Sequence, residues 1–140
     1  MKVAVIYWSG TGNTEQMANA ILEGAKTAGA AASLLTPAEV DASTVAAYDT
    51  FAFGCPAMGA EELEETEFAP MFDTVEPLLA GKKVALFGSY GWGGGEWMQL
   101  WEDRCKNAGI ALLQQGLICA DAPDADVLAA CRQLGAALAK

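Results

Sequence analysis

The segment that most constrains the fold of this chain is an apolar run at residues 3–8 (VAVIYW), followed directly by residues 9–14 (SGTGNT). The run has the β-branched, aliphatic composition of a buried strand. Residues 15–23 then place apolar side chains at positions 17, 18, 21 and 22, which is a helical spacing. A strand, a glycine-hydroxyl loop and a helix N-terminus in this order predict an anion site, because loop N–H groups and the helix dipole converge there.

This loop contains no basic side chain, since none occurs between Lys2 and Lys26. A Walker loop requires a lysine after its second conserved glycine, and a dinucleotide fingerprint requires a third glycine where this chain has Glu15. Phosphoryl transfer is disfavoured because it needs strong charge neutralisation. Two interpretations of the loop remain open: it holds a phosphate as a permanent handle, or it only caps the helix that follows.

Composition excludes several classes of protein. A chain of 140 residues that is 53% hydrophobic predicts a single domain spanning residues 1–140. No apolar stretch approaches the ~18 residues of a membrane span, and no signal peptide is recognisable, so we expect a cytoplasmic protein. Four cysteines without a CxxC pair and no histidine disfavour an ordinary zinc site and exclude histidine-based catalysis. We expect the cysteines to be small buried hydrophobes.

Charge is distributed very unevenly along the chain. The net charge is −10, and between Lys26 and Lys82 there are ten acidic residues and no basic one. Five of these acids lie in residues 61–67 (EELEETE). The run is either a solvated helix start or a docking face for basic partners. Nucleic-acid binding is disfavoured in both cases.

Apolar patterning predicts an alternation of strands and helices. The predicted strands are 2–8, 31–36, 48–54, 82–88 and 111–120, and the predicted helices are 13–28, 67–79, 95–108 and 123–139. The third and fourth strands are short apolar runs, as expected for strands covered on both faces. The pattern predicts a doubly wound α/β sheet with helices on both faces and a ligand at the carboxyl ends of its strands.

Two further glycine-rich segments follow the third and fourth predicted strands, at residues 54–62 and 88–97. The second of them surrounds Tyr90 and Trp92 with glycines, which suits the stacking of an aromatic ring on a planar ligand. A phosphate handle and an aromatic platform at one edge of a sheet indicate a nucleotide with a flat heterocycle. FMN fits that description.

Three ordered motifs resemble the flavodoxins, most closely the short-chain type of anaerobic bacteria: residues 8–14 (WSGTGNT), residues 54–59 (GCPAMG) with Glu61, and residues 89–93 (SYGWG). The resemblance implies a flavodoxin-like fold, with a five-stranded parallel sheet of order 2-1-3-4-5 and one noncovalently bound FMN. It also implies a low-potential one-electron carrier rather than an enzyme. Such a carrier shuttles between semiquinone and hydroquinone and serves redox enzymes in place of ferredoxin.

The resemblance also implies roles for individual residues. Met58 and Trp92 would sandwich the isoalloxazine ring, Glu61 would accept a hydrogen bond from flavin N3–H, and the Gly59 carbonyl would turn to accept one from N5–H. Ala60 departs from the family, because several relatives carry Asp or another polar residue there. The full predicted cofactor site comprises Ser9, Gly10, Thr11, Gly12, Asn13, Thr14, Pro56, Ala57, Met58, Gly59, Glu61, Ser89, Tyr90, Gly91, Trp92 and Gly93.

Partners implied by this interpretation are basic-faced reductases and electron acceptors, docked transiently on a monomer. Two rival classes of protein remain. An FMN-dependent reductase needs a nicotinamide or substrate site, for which a chain without histidine and with few arginines offers little. A receiver-type signalling module needs clustered acids after the first strand, where this chain has Tyr7, Trp8 and Ser9.

Overall fold

Five parallel strands form one sheet in the computed structural model, which describes residues 1–58, 62–91 and 93–140. The strands are β1 (Lys2–Tyr7), β2 (Ala31–Leu35), β3 (Thr50–Gly54), β4 (Lys83–Tyr90) and β5 (Leu117–Ala120). The helices of the described residues are α1 (Asn13–Thr27), α2 (Ala42–Ala47), α3 (Phe68–Val75), α4 (Glu96–Asn107) and α5 (Ala125–Leu138). The sheet order β2-β1-β3-β4-β5 confirms the predicted topology.

Both faces of the sheet are buried. Along β1, Val3 and Val5 face the layer of α1 and α5, whereas Ala4 and Ile6 face the layer of α2, α3 and α4. This alternation follows from the period of two along a strand. The chain passes from β1 outward to β2 and then returns to the other side of β1, so the topological switch point lies between β1 and β3.

The layer of α1 and α5 is built on direct backbone contact. An ideal Cβ at Gly24 would lie 1.9 Å from the Arg132 carbonyl oxygen, and one at Gly135 would lie 2.0 Å from the Ile21 carbonyl oxygen. Glycine is required at both positions because any side chain would force the helices apart. This contact fixes α1, the helix that begins at the glycine-hydroxyl loop, against α5.

Two elements differ from the sequence-based prediction. Helix α2 was not predicted, because six residues are too few for a helical periodicity to be visible. Its local signal is Asp41, whose carboxylate accepts hydrogen bonds from the N–H groups of Ser43 and Thr44. The predicted fifth strand, 111–120, is too long: β5 starts at Leu117, and Leu112 forms only an isolated bridge with Val84.

All four cysteines are buried and free, as predicted. Gly29, Gly81 and Gly109, where helices or connections end, adopt positive φ values between 78° and 95°. Within the described ranges, no helix is long and apolar enough to cross a membrane.

Candidate functional site

A cavity of about 250 Å³ opens at the carboxyl edge of the sheet, beside the switch point. It is bounded by loops that follow β1, β3, β4 and β5. Its lining residues are Trp8, Gly10, Thr11, Asn13, Pro56, Ala57, Met58, Ser89, Tyr90, Gly91 and Asp121. The three predicted glycine-rich segments therefore converge on one place.

In the loop after β1, two backbone N–H groups point at one side-chain hydroxyl oxygen. The Ser9 hydroxyl oxygen accepts hydrogen bonds from the N–H groups of Gly12 (3.1 Å) and Glu15 (3.3 Å). Gly12 precedes α1 with φ of 95° and has no side chain with which to cap the helix, so Ser9 holds the Glu15 amide of the first turn from further upstream. The other amides of this turn are suited to an anion. Ser9 and Gly12 themselves line a neighbouring hollow of about 430 Å³, which shares Gly10 and Thr11 with the cavity.

Thr14 lies behind the loop rather than on the cavity wall. It is buried, and its hydroxyl oxygen accepts a hydrogen bond of 3.3 Å from the N–H of Ser89. Because a hydroxyl that accepts one bond can still donate its own hydrogen, this contact is compatible with the predicted phosphate role. The bond also joins the start of α1 to the end of β4.

Residues 56–58 form a second wall. The N–H of Ala57 donates to the carbonyl of Ser89 over 3.1 Å. Met58 is half-buried and exchanges two backbone hydrogen bonds with Glu62, of 3.0 and 3.2 Å. Gly59, Ala60 and Glu61 lie outside the described residues, so the roles assigned to Gly59 and Glu61 stay predictions.

Tyr90 supplies an aromatic wall at the end of β4. Its ring centroid lies 5.5 Å from that of Trp97, with 51° between the ring planes. Trp97 is buried, and its indole N–H donates to the carbonyl of Cys55 over 3.1 Å. The predicted ring partner Trp92 lies outside the described residues, while Gly93 is exposed with φ of 77° and does not line the cavity.

Two lining residues were missing from the predicted site. Trp8 donates its backbone N–H to the Gly54 carbonyl at 3.0 Å, and its side chain is half-buried at the cavity. Asp121 follows β5, donates its N–H to the Tyr90 carbonyl (2.8 Å) and accepts from the Ser89 hydroxyl (2.6 Å). The available signal was position, since both residues directly follow parallel strands whose carboxyl ends meet at this edge.

The acidic segment beside the cavity is divided between two roles. Glu62, Glu65 and Glu67 are exposed, but Glu64 is 4% exposed. Burial raises the pKa of Glu64, yet hydrogen bonds from the Thr66 hydroxyl and from three backbone N–H groups outweigh it and lower that pKa to about 2. The segment is therefore both a helix start and an exposed acidic surface, and Glu64 does not belong to that surface.

These residues fit FMN. The amide-rich loop at the start of α1 matches the phosphate, whereas Trp8, Ala57, Met58 and Tyr90 give the adjoining cavity the apolar walls that a flavin ring needs. No lysine or arginine lines this cavity among the described residues.

Comparisons with known proteins agree with this geometry. A family model described as Flavodoxin matches residues 5–135. Flavodoxin of Megasphaera elsdenii is 45% identical over 138 residues, which cover 99% of this chain and 98% of the relative. Flavodoxin of Clostridium beijerinckii is 42% identical over 120 residues, covering 86% of this chain and 87% of the relative. The solution structure of two-electron reduced Megasphaera elsdenii flavodoxin matches with a TM-score of 0.86 over 98% of both chains. The family match spans every segment that lines the cavity.

Proposed function

The chain belongs to the flavodoxin family, and from that premise we propose that it is a low-potential one-electron carrier. Flavodoxins are FMN-binding electron-transfer proteins and not enzymes, so the predicted family, cofactor and carrier role are confirmed. The proposal goes further: the protein works between the semiquinone and the hydroquinone of FMN and serves redox enzymes in place of ferredoxin.

The observation that carries this proposal is a cofactor cavity without a cationic side chain among its described lining residues. Neutral amides and hydroxyls leave the negative charge of a bound phosphate largely uncompensated. The acidic residue Asp121 is among the lining residues, and the chain as a whole carries a net charge of −10. Each of these charges disfavours the addition of a further negative charge nearby, which lowers a reduction potential.

The residues divide the work of holding the cofactor. FMN, when bound, supplies one-electron transfer at its ring. The loop of Ser9, Thr11 and Thr14 with the first turn of α1 binds the phosphate, and Met58 and Tyr90 exclude water from the ring. We assign the remaining predicted contacts, of Gly59, Glu61 and Trp92, to the ring edge and its second face, although these three residues lie outside the described ranges.

Partner docking follows from the exposed acids. Among the described residues, the ion pairs are those of Arg104 with Asp73 and Glu76. The exposed carboxylates of Glu62, Glu65 and Glu67 are thus available to a basic redox partner that docks transiently. Within this proposal residues 1–140 act as one FMN-binding domain, monomeric and cytoplasmic.

Ligand selectivity tests the phosphate assignment. Riboflavin, which lacks the phosphate, should bind at least 10-fold more weakly than FMN, and Thr14→Ala should weaken FMN more than riboflavin. Thr14→Ser is the matched control because it keeps the hydroxyl. Fluorescence titration measures both affinities, and equal affinities for the two ligands would contradict a phosphate site.

An anaerobic titration with dithionite, followed by absorbance, tests the proposed one-electron carrier role. We expect a one-electron-reduced species to accumulate before full reduction, with the second step at the lower potential. Steady oxidation of NADH by the protein alone, without a partner reductase, would contradict the carrier proposal.

A further inference from the structure

Glu64 is a buried acid in a strongly acidic, otherwise exposed stretch. Its carboxylate accepts hydrogen bonds from the backbone N–H groups of Thr66 (2.9 Å), Glu67 (2.7 Å) and Phe68 (2.9 Å), and from the Thr66 hydroxyl. Glu67, which precedes α3, makes no side-chain cap of its own. Glu64 therefore supplies the cap of this helix from three residues further upstream.

The backbone of Glu64 is fixed at a second point. Its N–H donates to the sulfur of Cys55 over 3.3 Å. Cys55 is fully buried and is itself held on two sides, since its N–H donates to the Phe87 carbonyl (3.2 Å) and its carbonyl accepts from the Trp97 indole (3.1 Å). Glu64 thus connects α3 to the end of β3 and, through Cys55, to β4 and α4.

Between Cys55 and Glu64 the chain runs out to the cavity and returns. Residues 55–58 form the outgoing limb and residues 62–64 the returning limb. Two links join the limbs: the sulfur contact of Cys55 with Glu64 and the paired backbone bonds of Met58 with Glu62. Met58 lines the cavity at the far end of the outgoing limb. A shift of the returning limb should therefore displace Met58.

We propose that Glu64 is a positioning residue for the flavin site: its carboxylate fixes the returning limb, which in turn holds Met58 against the cavity. The inference rests on the proposed function, because it takes FMN as the occupant of the cavity. A residue that only caps α3 would stabilise the fold without affecting the cofactor.

The number of donors explains why a carboxylate is needed. Four donors converge on two oxygens that only accept. In Glu64→Gln the side-chain amide brings its own donors against backbone donors, so at least one backbone N–H loses its partner. Glu64→Asp keeps the charge on a shorter side chain and is the conservative variant.

The matched control is Asp41→Asn. Asp41 also caps a helix with its carboxylate, through bonds to Ser43 and Thr44, and its substitution removes the same single charge. The hydrogen bonds that the described residues make with its side chain and N–H come from its own helix start, not from Cys55 or either limb. Comparing the two variants separates limb positioning from helix capping and from net charge.

Three measurements on the FMN-loaded protein test the inference: the FMN dissociation constant, the potential of the first reduction step, and amide hydrogen exchange at Met58 and Glu62. We expect Glu64→Gln to raise the dissociation constant at least 10-fold, to accelerate exchange at both amides at least 10-fold, and to shift the potential. Asp41→Asn should change the dissociation constant and both exchange rates by less than 2-fold. It should shift the potential by less than about 18 mV, the one-electron equivalent of a 2-fold change. Glu64→Asp should restore part of the loss.

The Cys55 variants provide a second route that does not alter charge. Cys55→Ala removes the sulfur acceptor and should act like Glu64→Gln, with the double variant less than additive in FMN affinity. Cys55→Ser keeps a hydrogen-bond acceptor at this position and should therefore have a smaller effect than Cys55→Ala. If Glu64→Gln does not fold, the Cys55 variants still test the inference.

A Glu64→Gln protein that unfolds more easily but binds FMN and exchanges its Met58 and Glu62 amides like Asp41→Asn would overturn the inference and leave a helix cap. Failure of the wild-type chain to take up FMN would instead overturn the proposed function. In that event the exchange at Met58 and Glu62 still decides whether Glu64 holds the limbs together.

Discussion

Asp121 adopts φ of 57°, a left-handed conformation that costs a residue with a Cβ about 1–2 kcal/mol. Aspartate tolerates this region better than most residues. The conformation is held on both sides, because its N–H donates to Tyr90 and its carbonyl accepts from the Ser89 hydroxyl. These bonds place an acidic residue on the wall of the cavity.

Removing that charge should ease full reduction of the flavin. Asp121→Asn keeps a residue suited to the left-handed conformation and deletes one negative charge. A charge ~10 Å away contributes ~0.4 kcal/mol at the dielectric of water and ~1.7 kcal/mol at an effective value of 20. The potential of the second one-electron step should therefore rise by about 20–70 mV, measured by anaerobic spectroelectrochemical titration.

The exposed Glu23 of α1 provides the control for this experiment. Glu23→Gln makes the same change in net charge but lies more than two helical turns from the loop. If this potential rose equally in both variants, net charge rather than position would set it. If it did not rise in Asp121→Asn, Asp121 would have no influence on the potential of the flavin.

At the scale of elements, helix α3 depends on an ionised side chain for its first turn. The pKa of Glu64 is about 2 in the folded protein against an ordinary value of 4.5. Because the folded value is the lower one, the stabilisation is complete above about pH 5 and is lost as the pH falls toward 2.

Acid unfolding should reveal this dependence. The wild-type protein should lose on the order of 2 kcal/mol of its free energy of unfolding between pH 5 and pH 2 through Glu64. Urea unfolding at several pH values measures it. The loss should be smaller in Glu64→Gln, and identical pH profiles for the two proteins would contradict the assignment.

The contact between α1 and α5 should be intolerant of even one methyl group. Gly24→Ala would gain about 1 kcal/mol of helix propensity on an isolated helix, but the added Cβ meets the Arg132 carbonyl. We expect a net loss of about 2 kcal/mol or more in the free energy of unfolding, measured with urea. Glu23→Ala, at an exposed neighbour, should stay within about 0.5 kcal/mol, and a stabilised Gly24→Ala would refute the close approach.

Periodicity located the elements that are long or buried on both faces, such as β1, β3, α1 and α5, and their alternation was enough to predict the sheet. It missed α2, which is marked only by its Asp41 cap, and it extended β5 across residues 111–116, where the chain pairs at Leu112 alone. At the cavity the glycine-rich segments were visible, but Asp121 was missed, because its only sequence signal is its position directly after the fifth strand. Glu64 likewise reads as one acid among five, and only burial distinguishes it.

At the scale of the whole molecule, exposed acids lie beside the cavity. Glu62 pairs with Met58 at the cavity wall, and Glu65 and Glu67 follow it on the surface. A basic partner approaching the flavin therefore meets an attractive field whose strength depends on salt, with a Debye length of ~10 Å at 0.1 M.

Electron transfer to a basic redox protein such as cytochrome c should slow as ionic strength rises. Changing Glu62, Glu65 and Glu67 together to Gln should flatten that dependence, which stopped-flow kinetics measures. Adding Glu64→Gln should flatten it little further, because Glu64 is buried. If the rate changed neither with salt nor with the triple substitution, these acids would not form a docking face and would only be the solvated start of a helix.

The backbone contact between the first and last helices carries one more consequence. Helix α1 begins at the loop that we propose binds the phosphate, and Gly24 near its other end touches α5 without intervening side chains. Whatever steadies the first turn of α1 must also steady its neighbour, since two backbones in contact cannot drift apart independently. The C-terminal helix, which lines no part of the cavity, is thereby a remote reporter of cofactor occupancy: its amides should exchange more slowly with solvent once FMN is bound.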